Sequence, residues 1–165
     1  MRAENYFDVV RVILDEFAPK KGLHAIYVTA TIPSKSILNA LTVLDVDLEK
    51  THFVDCVSRM MMGLDERHEK ATYVESPSML ENILLKVEFL IRKLGGVDCV
   101  VVMDSVNSLA IHNSTKILSE FLHILVNHLR SRNAYTIILS MEEYATEEIH
   151  DILNLVADEA FAFSD

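Results

Sequence analysis

Five consecutive apolar residues, Cys99-Val100-Val101-Val102-Met103, end abruptly in Asp104-Ser105. Side chains of a strand alternate between its two faces, so a strand that is apolar at every position must be covered on both. That requirement selects a central strand of a parallel sheet, with helices above and below it. Thr136-Ile137-Ile138-Leu139 is a second run of this kind, and residues 24–29, 51–57 and 158–163 also read as strands. Thr72-Tyr73-Val74 adds a brief one. Helical spacing fills the intervals. Residues 4–18 place Tyr6, Val9, Val10, Ile13, Leu14 and Phe17 on one face, and Pro19 with Gly22 ends the run. A helix opens at Pro33-Ser34, and a long one opens at Ser76-Pro77 and stops at Gly95-Gly96. Asn113 caps another, with Ile117, Phe121, Leu122, Leu125 and Leu129 inward, and a short helix covers 147–155. Strands alternating with crossover helices predict an α/β fold: a three-layer α/β/α sandwich with a mainly parallel central sheet, one domain over residues 1–165.

Fifteen Lys and Arg stand against 25 Asp and Glu, a formal net charge of −10. An acidic surface repels phosphate backbones, so no nucleic-acid partner is expected. No apolar run reaches the roughly 20 residues that span a bilayer, and Met1 to Asp8 lacks the apolar centre of a signal peptide. Cys56 and Cys99 each lie inside an apolar run without metal or redox spacing. The expectation is a cytoplasmic protein with reduced thiols.

Ligands of open parallel sheets bind beyond the C-terminal strand ends, here Thr29–Ser34, Asp55–Ser58, Asp104–Ser108 and Ser140–Tyr144. A carboxylate at Asp104 projects from a rigid strand end, where it can hold a water on a magnesium ion or cap the following helix or turn. The string Thr29-Ala30-Thr31-Ile32-Pro33-Ser34-Lys35-Ser36 keeps the Lys and Ser that close a phosphate-binding loop. Thr29 and Ser34 stand where its glycines belong, Pro33 removes an N–H donor, and Thr31 and Ile32 resist positive φ. Lys35 is therefore read as a first-turn helix residue. The seven histidines show no metal-ligand spacing, and no nucleophile-elbow string is present. Residues 58–71 read as a surface loop with a helical turn, whose Met60-Met61-Met62 forms a partner surface or fills a core gap. Glu142-Glu143 reads as a solvated turn.

The order of these segments resembles the core of the RecA/KaiC-type ATPases, particularly small archaeal KaiC-like proteins. The resemblance rests on Ala25-Ile26-Tyr27-Val28-Thr29, Leu44-Asp45-Val46-Asp47-Leu48, Phe53-Val54-Asp55-Cys56-Val57-Ser58, Thr136-Ile137-Ile138-Leu139-Ser140 and Ala157-Asp158-Glu159-Ala160-Phe161. Above all it rests on Val100-Val101-Val102-Met103-Asp104-Ser105-Val106-Asn107-Ser108-Leu109, which is similar to the family's Walker B segment. In this register the helix over 4–18 is the one that follows the phosphate-binding loop, so that loop and its strand are not found. Thr31 and Ile32 occupy the place of the catalytic glutamate.

The resemblance implies a RecA-like topology without a functional phosphate loop, and strands in the order 51–57, 24–29, 98–103, 134–140, 158–163. The last is expected to move beside 134–140, or a partner to fill the gap. Without the cradle, its lysine and a water-activating acid, phosphoryl transfer loses its main electrostatic terms. The expected function is a non-catalytic regulatory or protein-binding module that needs no cofactor and associates with itself or with another protein. The alternative is a nucleotide-binding protein or weak nucleotidase. In it Asp104 and Ser105 hold ATP with magnesium, Asp104 through a water, and Lys35 or Arg59 supplies positive charge.

Overall fold

The computed structural model describes residues 1–61 and 67–163. Five parallel strands form one sheet: β1 (His24–Thr29), β2 (Thr51–Asp55), β3 (Ala71–Tyr73), β4 (Cys99–Asp104) and β5 (Tyr135–Leu139), in the order β3-β2-β1-β4-β5. Every residue of β4 is buried, as an all-apolar central strand demands. Alternation then sorts the sheet's side chains between two cores. Ile26, Val28, Val54, Val101 and Met103 join one core, and Ala25, Tyr27, Phe53, Val100 and Val102 the other.

Helices cover both faces. The first, α1, is a continuous helical run composed of a 3-10 turn at Ala3–Asn5, α-helix at Tyr6–Arg11, a π-helical stretch at Val12–Phe17 and a last turn at Ala18–Lys20. It packs with α2 (Ser34–Val43) on the face bearing Tyr27. After β2 comes the short α3 (Ser58–Met61). The opposite face carries α4 (Leu80–Lys93), α5 (Val106–His112), α6 (Thr115–Ser131) and α7 (Glu147–Val156). The result is the three-layer α/β/α sandwich expected.

Several boundaries differ from expectation, each for a local reason. The long helix begins at Leu80 rather than at Ser76-Pro77. The Ser76 hydroxyl accepts from the Ser78 N–H at 3.2 Å and its carbonyl from the Met79 N–H at 3.0 Å, which closes a separate turn. Asn113 is not the cap of α6. Ser114 takes that position, while the Asn113 amide donates to the carbonyls of Leu109 and Pro77 and fastens the end of α5. The inward face holds Phe121, Leu122, Leu125 and Leu129 as expected, but it is completed by Leu118, while Ile117 is 55 % exposed. The helix α5 itself was not anticipated.

Residues 158–163 form no strand, and Phe161 is 82 % exposed. Arg130 binds the Val156 carbonyl and the Asp158 carboxylate, and so anchors the chain at the end of α7. Beyond that anchor, Ala160-Phe161-Ala162-Phe163 stays off the sheet. Among the described residues nothing pairs with the outer edge of β5. Strand β3 extends the opposite edge, and the order of the four strands between β2 and β5 agrees with expectation.

Candidate functional site

The chain leaves β1 toward β2 and β3 on one side, then returns through β4 to β5 on the other. The crevice beyond the ends of β1 and β4 is therefore the sheet's topological switch point, where open α/β folds bind ligands. Asp104 and Thr29 pair in register there.

Asp104 is fully buried and turned into the protein. Its Oδ2 accepts from Tyr6 Oη at 2.5 Å and from Tyr27 Oη at 2.9 Å. Its Oδ1 accepts from Thr31 Oγ1 at 3.1 Å. Burial pushes this carboxyl above the usual carboxylate range, against the pull of its three hydroxyl donors. Burial, and then the adjacent carboxylate, push both phenols far above the usual tyrosine range, so each keeps its proton.

A chain of hydroxyls continues outward: Ser108 Oγ lies 3.0 Å from Thr31 Oγ1, and Ser105 Oγ lies 3.2 Å from Ser108 Oγ. Ser105 also caps α5 through the Ser108 N–H. The peptide between Asp104 and Ser105 is cis.

The second strand-end acid, Asp55, is equally buried. Its Oδ1 accepts the Val57 and Ser58 N–H groups at 2.9 and 2.8 Å, while its Oδ2 accepts the Ser58 hydroxyl at 2.7 Å and the Ser34 N–H at 2.8 Å. Burial alone would raise its pKa, but the hydrogen bonds from Ser34 and Ser58 outweigh it and hold the carboxyl below the usual range. The Ser34 N–H has no partner within α2, because it lies in the helix's first turn, the position that binds a phosphate in many nucleotide sites. Here an internal carboxylate already occupies it. Ser34 Oγ in turn lies 2.9 Å from His68 Nε2.

The structure places Ser105 and Thr31 with Asp104. Lys35 belongs instead to the Asp55 group, where its charge acts on His68. Arg59 pairs with Glu75 at 3.2 Å. Met60 and Met61 are exposed, at 51 % and 65 %, and Met62 lies outside the described residues. Among the described residues, no group of three or more His, Cys, Asp and Glu is placed to hold a metal. None of their helices is long and apolar enough to cross a membrane.

Sequence reasoning missed Tyr6 and Tyr27, which read only as core positions. The available signal was chemical, since a buried phenol needs a hydrogen-bond partner. Asn107 was missed too. Its buried amide bonds both the N–H and the carbonyl of Met141, at 2.7 and 3.3 Å, and so fixes the exit from β5.

An acid-ended central strand, flanked by parallel strands at a switch point and covered by helices on both faces, defines a RecA-like sandwich. The family described as "ATPase: KaiC" matches residues 14–163, and the chain belongs to it. Among solved structures, a KaiC-like protein from the hyperthermophilic archaeon Pyrococcus horikoshii superposes with a TM-score of 0.57 at 15 % identity. The match covers 85 % of this chain and 58 % of that one, so the chain spans less than two thirds of its relative. At this identity the likeness is one of fold. None of the curated proteins matches the sequence.

Proposed function

We propose that this KaiC-family domain is a non-catalytic module that regulates or binds another protein, and that it does not turn over nucleotide. The observation that carries the reading is the inward turn of Asp104, which is fully buried and bonded to three hydroxyls of the chain itself. Two phenols and a threonine hydroxyl take up three of its roughly four acceptor positions, and the buried carboxylate would have to be uncovered before it could hold a magnesium-bound water. The start of α2 supports the same reading, because Asp55 already supplies its anion. No string in these 165 residues offers a glycine cradle, which removes the backbone donors phosphoryl transfer depends on. The outer edge of β5 and exposed Met60 and Met61 favour association with a second copy or another protein. Buried, unpaired Cys56 and Cys99 fit a reducing, cytoplasmic compartment.

A thermal melt with ATP or ADP and magnesium tests the reading, because a ligand selective for the folded state must raise its stability. No shift at millimolar nucleotide is expected. An upward shift that disappears in Asp104→Ala would instead establish the nucleotide site at Asp104 and Ser105.

A further inference from the structure

A cavity of about 830 Å³ opens at the switch point, beside the hydroxyl chain of Asp104. Its size falls within the roughly 300–1,000 Å³ of small-molecule pockets. Phe7, Ile32, Leu118, Met141, Ile149 and Ile152 give it apolar walls.

The floor has a definite polarity, which follows from proton counting. A carboxylate can only accept, so the protons of Tyr6, Tyr27 and Thr31 point inward to Asp104. With its proton committed, Thr31 Oγ1 accepts from Ser108, and Ser108 Oγ then accepts from Ser105. Every hydroxyl proton is directed toward the buried acid. The floor residues Tyr6, Thr31, Ser105 and Ser108 therefore present lone pairs to the cavity. At the rim stand Glu143 and Glu148. A hydrogen bond from the Ala3 N–H holds the Glu143 carboxyl below its usual range, hence ionised at neutral pH. No Lys, Arg or His is among the described residues that line the cavity, although the Met1 ammonium and Arg2 outside it also act on Glu143, which leaves Glu148 as the rim carboxylate away from them. Apolar walls, an acceptor floor and an anionic rim repel phosphates and carboxylates and suit a hydrogen-bond donor with positive charge.

We propose that this cavity binds a small organic cation: an apolar body seated against Ile32, Leu118 and Met141, with an ammonium group donating to the Thr31 and Ser108 hydroxyls and facing Glu143 and Glu148. The inference goes beyond the module reading and does not need it.

The test is an isosteric series, phenylbutylamine, phenylbutanol and phenylbutyrate, titrated into the full chain by calorimetry, with binding located by amide shifts in NMR. The amine binds at least about tenfold more tightly than the acid, with the alcohol between, and shifts Thr31, Ser108 and Tyr144. Ethylamine, which keeps the charge but lacks the apolar body, binds at least about tenfold more weakly than phenylbutylamine. Glu148→Lys, a substitution at an exposed rim position in the first turn of α7, reverses the preference between amine and acid while the cooperative thermal transition is retained.

Equal or tighter binding of phenylbutyrate overturns the proposal. So does ethylamine matching phenylbutylamine, which would mean attraction to a chain of net charge −10 and nothing more. A Glu148→Lys variant with an unaltered ranking overturns it as well. Competition by magnesium ATP at this cavity would overturn both this proposal and the module reading, whereas a failed amine series without nucleotide binding overturns this one alone.

Discussion

Three donors converge on Asp104, and all come from far along the chain: Tyr6 is 98 positions away, Tyr27 is 77 and Thr31 is 73. A carboxylate placed to hold a metal carries repulsion that its removal relieves. One that satisfies buried hydroxyls leaves them unpaired when it is lost. Asp104→Ala is therefore expected to cost about 3 kcal/mol in urea unfolding. A variant as stable as the parent would show that the acid is not a structural hub. Tyr27→Phe, which removes a single donor, costs about 1–2 kcal/mol on the same assay. Asp104 was legible in the sequence because five apolar residues precede it. Its partners were not, because periodicity says where a tyrosine points and nothing about which buried oxygen it meets.

At the scale of elements, loops are tied down by single polar side chains. Asn107 joins α5 to the segment after β5 through both backbone groups of Met141. Asn107→Leu leaves those groups buried without partners, with an expected loss of about 2 kcal/mol. Hydrogen exchange then rises first around residues 140–144.

Acid stability follows from side chains on β2 and beside it. Burial, and then nearby His24, lower the pKa of His52, and burial also lowers that of His68, so the native state favours both in neutral form. Their contribution is present above about pH 6.5 and is lost as the pH falls through that value, because the unfolded chain takes up the protons first. Asp55, held below the usual range, contributes above about pH 4 and loses that contribution as the pH falls further. Asp104 has the opposite sign, since its raised pKa lets the native state take up a proton before the unfolded chain does. Urea midpoints from pH 7 to 3 should fall in two stages, and His52→Gln should shrink the upper one. The period of the apolar residues fixed the kind of each element in advance, but caps such as Ser114 in place of Asn113 turn on one side chain and were misplaced by one residue.

At the scale of the whole molecule, the sheet depends on β4. Val101 lies at its centre, fully buried, between Ile26 on β1 and Thr136 on β5. Val101→Asp sets an unpaired charge there at a cost of several kcal/mol, comparable with the roughly 5–15 kcal/mol that keeps a domain folded. Loss of the cooperative thermal transition is the expected result, and an unchanged melting temperature would contradict the central position of β4. The layered architecture was readable from the all-apolar run of β4, whereas Thr136-Ile137-Ile138-Leu139, read as a second strand covered on both faces, is an edge strand in which only Leu139 is buried. The tail was not readable: Ala160-Phe161-Ala162-Phe163 has the alternation of a strand, but Arg130 fastens the chain at Val156 and Asp158, and the residues beyond stay off the open edge of β5.

The pairing of His24 with Cys99 along β1 and β4 has a consequence for synthesis. A chain emerging N-terminus first can lay β2 against β1 early, yet the other edge of β1 waits until the ribosome has passed the whole of β4. Parallel strands have no hairpin shortcut, and this closing contact is the most distant in sequence of the sheet's strand pairings, which slows folding. Until then the apolar flank of β1 stays open to other nascent chains, and the half-made sheet is the species a chaperone would be expected to meet.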